Sequence, residues 1–209
     1  LQAIRYYQEI LNARPDYAPV HFNMGTILLG RAGYEEAIVH LEKAVQAVPG
    51  WLEAEINLAM AYLQSGRTSE AKKEFEQILS TNPKNVQALI GLGMTYLRSG
   101  DSASATKLFQ SAATADSASD SAREMLAEMY YQQGDLRSAI GELEKVERVN
   151  PGNLSARLRL ANAYLESGDR TSLTKAIRIF DELKNHPRQD VSREANSGLA
   201  LAYMGEGNM

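Results

Sequence analysis

Cysteine is absent from this chain of 209 residues, which excludes disulfides, thiolate zinc sites and cysteine nucleophiles. That absence leaves both the cytoplasm and the bacterial periplasm open. Basic residues are not in excess: Lys and Arg number 22 against 26 Asp and Glu, for a net charge of −4. Such interspersed charge offers no attraction for a nucleic-acid backbone or an anionic membrane, so neither is expected as a partner. No apolar run approaches the roughly 18 to 20 residues of a membrane span. The richest stretch, Ala88 to Leu97, is interrupted by Gly91, Gly93 and Thr95, and no direct membrane insertion is expected. No signal-peptide pattern follows Leu1. Proline is scarce, at 6 residues, and no long polar tract occurs. With 44% hydrophobic residues the chain has the composition of an ordered protein, large enough for one domain or two small ones.

Reactive residues are equally sparse. The three histidines, His21, His40 and His186, lack the spacing of a metal-binding motif. No serine lies in a G-x-S-x-G elbow. Gly91-Leu92-Gly93 has neither the preceding strand nor the third glycine of a dinucleotide loop. Glu124 and Glu128, four residues apart, read as solvated charges on one helix face rather than as an acid–base pair. The sequence therefore assigns no catalytic residue, no metal site and no cofactor, and the chain is not expected to be an enzyme.

What is present is a repeat. Tyr62, Tyr96, Tyr130 and Tyr164 follow one another at intervals of 34 residues. Ala37, Ala71, Ala105 and Ala139 keep the same interval, as do Gly25, Ala59, Gly93, Ala127 and Ala161. Each unit reads as two helices. Leu58, Ala59 and Tyr62 share one face of a first helix, and Gly66 ends it; Ala71, Phe75 and Ile78 share one face of a second, closed by Pro83. Asn85, Asp101 and Asp135 stand where helix caps belong. The small residues mark helix crossings, where anything larger than alanine would push the axes beyond about 8–10 Å. Tyr62, Tyr96, Tyr130 and Tyr164, with Leu41, Phe75, Phe109, Leu143 and Phe180, fill the space beside them.

The segments Leu58-Ala59 with Tyr62, Ala71, Phe75 and Pro83, then Leu92-Gly93 with Tyr96, Ala105 and Phe109, then Leu126-Ala127 with Tyr130, Ala139, Leu143 and Pro151 resemble the tetratricopeptide repeat family. The resemblance covers nearly the whole chain. It implies an all-α fold: a right-handed superhelical solenoid of antiparallel helix hairpins, forming one domain. On this register, residues 1–17 are the second helix of a truncated repeat, with Ala3, Tyr7, Ile10 and Pro15 as its markers. Five repeats follow at 18–51, 52–85, 86–119, 120–153 and 154–188, and 189–209 hold the first helix of another. The chain is thus expected to be a fragment of a longer protein. Three departures stand out. His21, Glu55, Leu89, Arg123 and Arg157 replace the family's first-helix aromatic. Ser117 replaces proline in the link Asp116 to Ser121, where looser stacking is expected. Three residues are inserted within Arg170 to Lys175, which puts Tyr203 out of register.

The resemblance further implies that first helices line a concave face. The inner positions are then Phe22, Thr26 and Leu29; Ile56, Met60 and Leu63; Ile90, Met94 and Leu97; Glu124, Glu128 and Tyr131; and Leu158, Asn162 and Leu165. The first three sets form an apolar strip rimmed by Asn23, Asn57, Gln64, Gln87 and Arg98, the pattern of a binding patch. The last two sets are mixed and suited to a charged part of a partner. A carboxylate clamp known in the family is missing at Phe22, Thr26, Ile56, Met60, Gln87 and Ile90. An asparagine ladder begins at Asn23 and Asn57 and breaks at Gly91, Met125 and Arg159. The expected function is a protein-binding scaffold that holds an amphipathic helix or an extended apolar segment, as an adaptor in a larger assembly. Packing against further repeats is the competing explanation of the strip. A regulatory or substrate-presenting arm of an enzyme, and a homotypic assembly module that self-associates through the array ends, are the alternatives. Analogy with long Ala/Gly/Tyr-rich arrays leans toward a bacterial envelope or secretion machine.

Overall fold

The helix boundaries follow from a few residues that cannot propagate a helix and a few that can begin one. The computed structural model describes residues 2–206, with side chains from Ile4 to Gly205. The side chain of Ala3, a marker in the opening repeat, and residues 207–209 of the last lie outside the described residues. Within them are twelve α-helices and no strand: α1 (Gln2–Ala13), α2 (Ala18–Gly30), α3 (Tyr34–Ala47), α4 (Leu52–Gln64), α5 (Thr68–Thr81), α6 (Val86–Arg98), α7 (Ser102–Ala115), α8 (Asp120–Gln132), α9 (Leu136–Val149), α10 (Leu154–Ser167), α11 (Arg170–Leu183) and α12 (Gln189–Glu206).

The chain falls into two compact units, residues 1–115 and 116–209. The division lies at the start of the Ser/Ala/Asp-rich link that carries Ser117 in place of proline. In the first unit α2 pairs with α3, α4 with α5 and α6 with α7, while α3 on α4 and α5 on α6 stack successive hairpins. In the second, α8 pairs with α9 and α10 with α11, α9 stacks on α10, and α12 packs on α11 and α10.

Side-chain caps start α6, α7 and α9 as their residue types require. Asn85 accepts a hydrogen bond from the Ala88 amide at 2.8 Å, Asp101 from Ser104 at 2.9 Å, and Asp135 from Ser138 at 3.0 Å. At the other end, Gly66 has φ +86°, a left-handed conformation that closes α4 without steric cost. The corresponding residue of the first hairpin is Ala32, the one non-glycine residue with positive φ among those described, at +60°. An L-residue there costs about 1–2 kcal/mol. Ala32→Gly is therefore expected to stabilise the first unit by roughly 1 kcal/mol, after the extra chain entropy of glycine is subtracted. Urea unfolding of the two proteins measures it; an unchanged or lower midpoint would show that the αL position is not strained.

The alanines Ala37, Ala71, Ala105, Ala139 and Ala176 are fully buried at the crossings. Beside them the rings of Phe75, Phe109 and Phe180 are also fully buried and press on glycine backbone. A Cβ on Gly93 would lie 2.6 Å from Cε1 of Phe109. Gly91 and Gly198 meet the rings of Phe75 and Phe180 in the same way, from the hairpin that follows. The tyrosines also link hairpins. Tyr62 donates to Glu42 of α3 at 2.6 Å, with the Arg67 guanidinium 4.7 Å above its ring. Tyr164 donates to Glu144 of α9, with Lys175 4.8 Å over the ring. Burial and then the Glu144 hydrogen bond push the Tyr164 hydroxyl up to about 12.

The three inserted residues near Arg170 do not lengthen the second helix. α11 has 14 residues, as α5 does, but begins nearly one turn earlier relative to its crossing alanine. Asp169 caps it at the Ser172 amide, and Leu173 enters the core. Because Gly198 stands over Phe180 as Gly91 stands over Phe75, α12 occupies the place of a first helix despite the late Tyr203.

Candidate functional site

The face formed by the first helices differs between the two units. In the first unit it belongs to α2, α4 and α6. Phe22, Leu29, Met60, Ile90, Met94 and Leu97 are all partly exposed there. Phe22, Leu29, Met60 and Met94 rest on the core cluster of this unit. The sequence reading placed Ile56 and Leu63 in the same strip; the structure buries both, at 5% and 1% exposure. The cause is their position on α4. That helix packs on α3 and α5 and is flanked by α2 and α6 as well, so its side chains meet protein on every side but one. Leu158 is buried for the same reason, at 6% exposure, on α10 between α9, α11 and α12.

Polar groups tie adjacent first helices together across this face. Asn57 on α4 donates to the Thr26 hydroxyl on α2 at 3.0 Å. Arg98 on α6 donates to the backbone carbonyl of Leu63. At the start of α4, the Trp51 ring lies 4.5 Å, centroid to centroid, from Phe22 and tilted by 34°. Sequence reading missed Trp51, whose signal was simply that it is the one tryptophan. Gly91, which the sequence shows as a break in an asparagine ladder and in an apolar run, stands against the Phe75 ring, where a Cβ would lie 2.2 Å from Cζ.

His21 is buried rather than available to a ligand. Its Nδ1 lies 2.8 Å from Nδ1 of His40, and its Nε2 lies 2.7 Å from the Pro15 carbonyl. Burial, and then the neighbouring His21, push His40 below the usual histidine range.

In the second unit the face is polar. Glu124 and Glu128 are partly exposed, Tyr131 is 47% exposed, and Asn162 is exposed. The structure brings these residues together through partners on neighbouring first helices. Arg159 pairs with Glu128 and stands 4.0 Å from Glu124. Asn153 donates to Glu124 at 2.8 Å and to Asp120 at 3.1 Å. The Tyr131 hydroxyl donates to Glu166, and Asn162 donates to Glu194 on α12 at 3.0 Å. These pairs are separated by 29 to 35 residues, near the repeat length. A search for complementary side chains 31 residues apart, nearly one helical turn short of the repeat, would have found Glu128 with Arg159. Beneath them Ala127, Ala139, Leu143 and Ala163 surround a cavity of about 130 Å³.

Among the described residues, no cluster of three or more His, Asp or Glu is placed to hold a metal ion, and no helix is long and apolar enough to cross a membrane.

Comparison with known proteins agrees with this arrangement. A family model for the tetratricopeptide repeat matches at residues 29–92, 64–129 and 130–196. No curated protein matches the sequence. Among solved structures, TTC0263, a thermophilic TPR protein of Thermus thermophilus, superposes with a TM-score of 0.68 at 19% identity, over 88% of this chain and 99% of that one. Yeast Tom70 gives 0.76 at 16% identity, over 98% of this chain and 43% of its own length. YrrB, described as a TPR protein with an unusual peptide-binding site, gives 0.58 at 20% identity, over 91% of this chain and 97% of that one. At these identities the structures speak for the fold alone. The matched repeats, the fully buried crossing alanines and the hairpin pairing lead to one assignment: the chain belongs to the tetratricopeptide repeat family.

Proposed function

We propose that the protein is a scaffold whose first-helix face in the first unit holds an apolar segment of another protein, either an amphipathic helix or an extended stretch. One observation carries this reading: Phe22, Leu29, Met60, Ile90, Met94 and Leu97 stay partly exposed while their helix neighbours are core. Met60 and Met94 offer flexible, polarizable contacts suited to a helix surface. The Asn57–Thr26 and Arg98–Leu63 hydrogen bonds stiffen the helices that carry them. YrrB's peptide-binding site supports the same class of function by analogy. Catalysis has no part in this reading.

The test is the double substitution Met60→Glu with Met94→Glu. Both side chains are only partly buried, so helicity and the melting midpoint should remain near those of the native protein. Affinity for a labelled amphipathic peptide with a leucine and methionine face should fall at least tenfold, about 1.4 kcal/mol. Undiminished affinity by fluorescence anisotropy would remove the strip from consideration.

A second reading, association between copies, draws on Leu201, Tyr203 and Met204, all well exposed on α12. Light scattering of the chain across a concentration series separates it from the first.

A further inference from the structure

We propose that the second unit anchors a single apolar side chain from an extended segment flanked by lysine or arginine, using the cavity beneath Glu128 and Tyr131. The proposal rests on the reading that first-helix faces carry the partner, but not on the apolar strip of the first unit.

The cavity has an identifiable origin. Phe75, Phe109 and Phe180 fill the space beside the helix crossing with a ring, and each ring reaches glycine backbone. At the equivalent position the hairpin of α8 and α9 carries Leu143. This side chain is shorter than phenylalanine, and a space of about 130 Å³ remains between Ala127 of α8, Ala139 and Leu143 of α9, and Ala163 of α10. The first hairpin also has leucine there, yet no room is left over: a Cβ on Gly25 would lie 2.5 Å from Cγ of Leu41. A dry apolar space of ~150 Å³ accommodates a benzene-sized group, so the cavity suits one leucine or phenylalanine side chain.

Its mouth specifies what surrounds that side chain. Glu128, Tyr131, Arg159 and Asn162 line it, so an entering side chain brings its flanking backbone across the first-helix face. Five carboxylates join the hydrogen bonds and ion pairs between first helices there: Asp120, Glu124, Glu128, Glu166 and Glu194. Arg159 is the one cation in that set, and it is already engaged by Glu124 and Glu128. The other nearby arginines on α8 and α10 are turned to the second helices, Arg123 to Glu142 and Arg157 to Glu147 and Glu182. Arg188, ahead of α12, is held by Asp190. The mouth therefore favours cationic flanks and repels acidic ones. The apolar cavity explains why a charge alone is not the ligand, and the carboxylates explain why a plain apolar segment is not.

The experiment titrates the full chain with fluorescein-labelled nine-residue peptides, read by anisotropy. One peptide carries a central leucine between lysines; in the second, alanine replaces the leucine; in the third, glutamates replace the lysines. The leucine–lysine peptide should bind, and added salt should weaken it. The alanine peptide should bind at least tenfold more weakly and the glutamate peptide not at all. Ala163→Leu, which fills the cavity from α10, should erase the difference between leucine and alanine peptides while keeping or raising the melting midpoint. Met60→Glu with Met94→Glu should leave all three titrations unchanged, which separates this site from the strip of the first unit. Equal binding of leucine and alanine peptides by the native chain overturns the anchor. So does binding of the glutamate peptide, failure of the leucine–lysine peptide to bind the native chain, or its loss in the double methionine variant.

Discussion

Ala71→Trp should abolish cooperative folding of the first unit. Ala71 is fully buried at the point where α5 crosses α4. Helices pack here at an interaxial distance set by the smallest side chains between them, and an indole forces the axes apart. Overpacking a tight core ordinarily costs about 1–3 kcal/mol. A tryptophan at an alanine crossing exceeds that range, because the shift breaks contacts along two whole helices rather than around one side chain. Domains of this size have about 5–15 kcal/mol of stability in all. Circular dichroism and urea unfolding should therefore show loss of the first-unit transition. The contrast with Met60→Glu and Met94→Glu is the useful part, since those introduce charge into the same unit and should leave folding intact. A folded Ala71→Trp protein with a near-native midpoint would mean that the crossing is not close-packed.

Phe75→Ala should lower the stability of the first unit by about 3–5 kcal/mol, the range for deleting a buried aromatic side chain. The Phe75 ring is fully buried and backed by Gly91 of the following hairpin, so the space it leaves cannot be filled by a rotamer change nearby. The same geometry predicts a coupling. Gly91→Ala in the native protein drives a methyl into the ring and should destabilise. In the Phe75→Ala background that methyl enters the vacated space, and alanine is the better helix former by ~1 kcal/mol. The sign of the Gly91 effect should thus reverse between the two backgrounds. A double-mutant cycle in urea measures this directly. Additive effects would show that Gly91 is glycine for some other reason.

That glycine marks where sequence reading ran short. The 34-residue ladders locate crossings because the demand for small residues there arises within one hairpin and recurs in each. The requirement at Gly91 comes from the neighbouring hairpin's phenylalanine, so it recurs only where that neighbour carries a ring. Ala32 shows the same limit: it reads as an ordinary helix-forming residue, and only the chain's turn reveals its left-handed backbone. The inner face was legible in part. Register puts Phe22, Met60 and Met94 on one face of their helices, and all three side chains are partly exposed, because the repeat fixes which way each helix turns. It could not tell Ile56, Leu63 and Leu158 from them, since burial depends on how many helices flank α4 and α10.

By itself, then, the sequence determined the hairpin architecture: spacing of small and large residues, glycine stops and polar caps are local demands, each written where it acts. Tertiary structure decided what the first-helix faces offer. It paired Glu128 with Arg159 and Tyr131 with Glu166, turned Arg123 and Arg157 away, and left a cavity over Leu143. These outcomes depend on side chains about one repeat apart meeting across neighbouring helices, a distance over which no local pattern carries information.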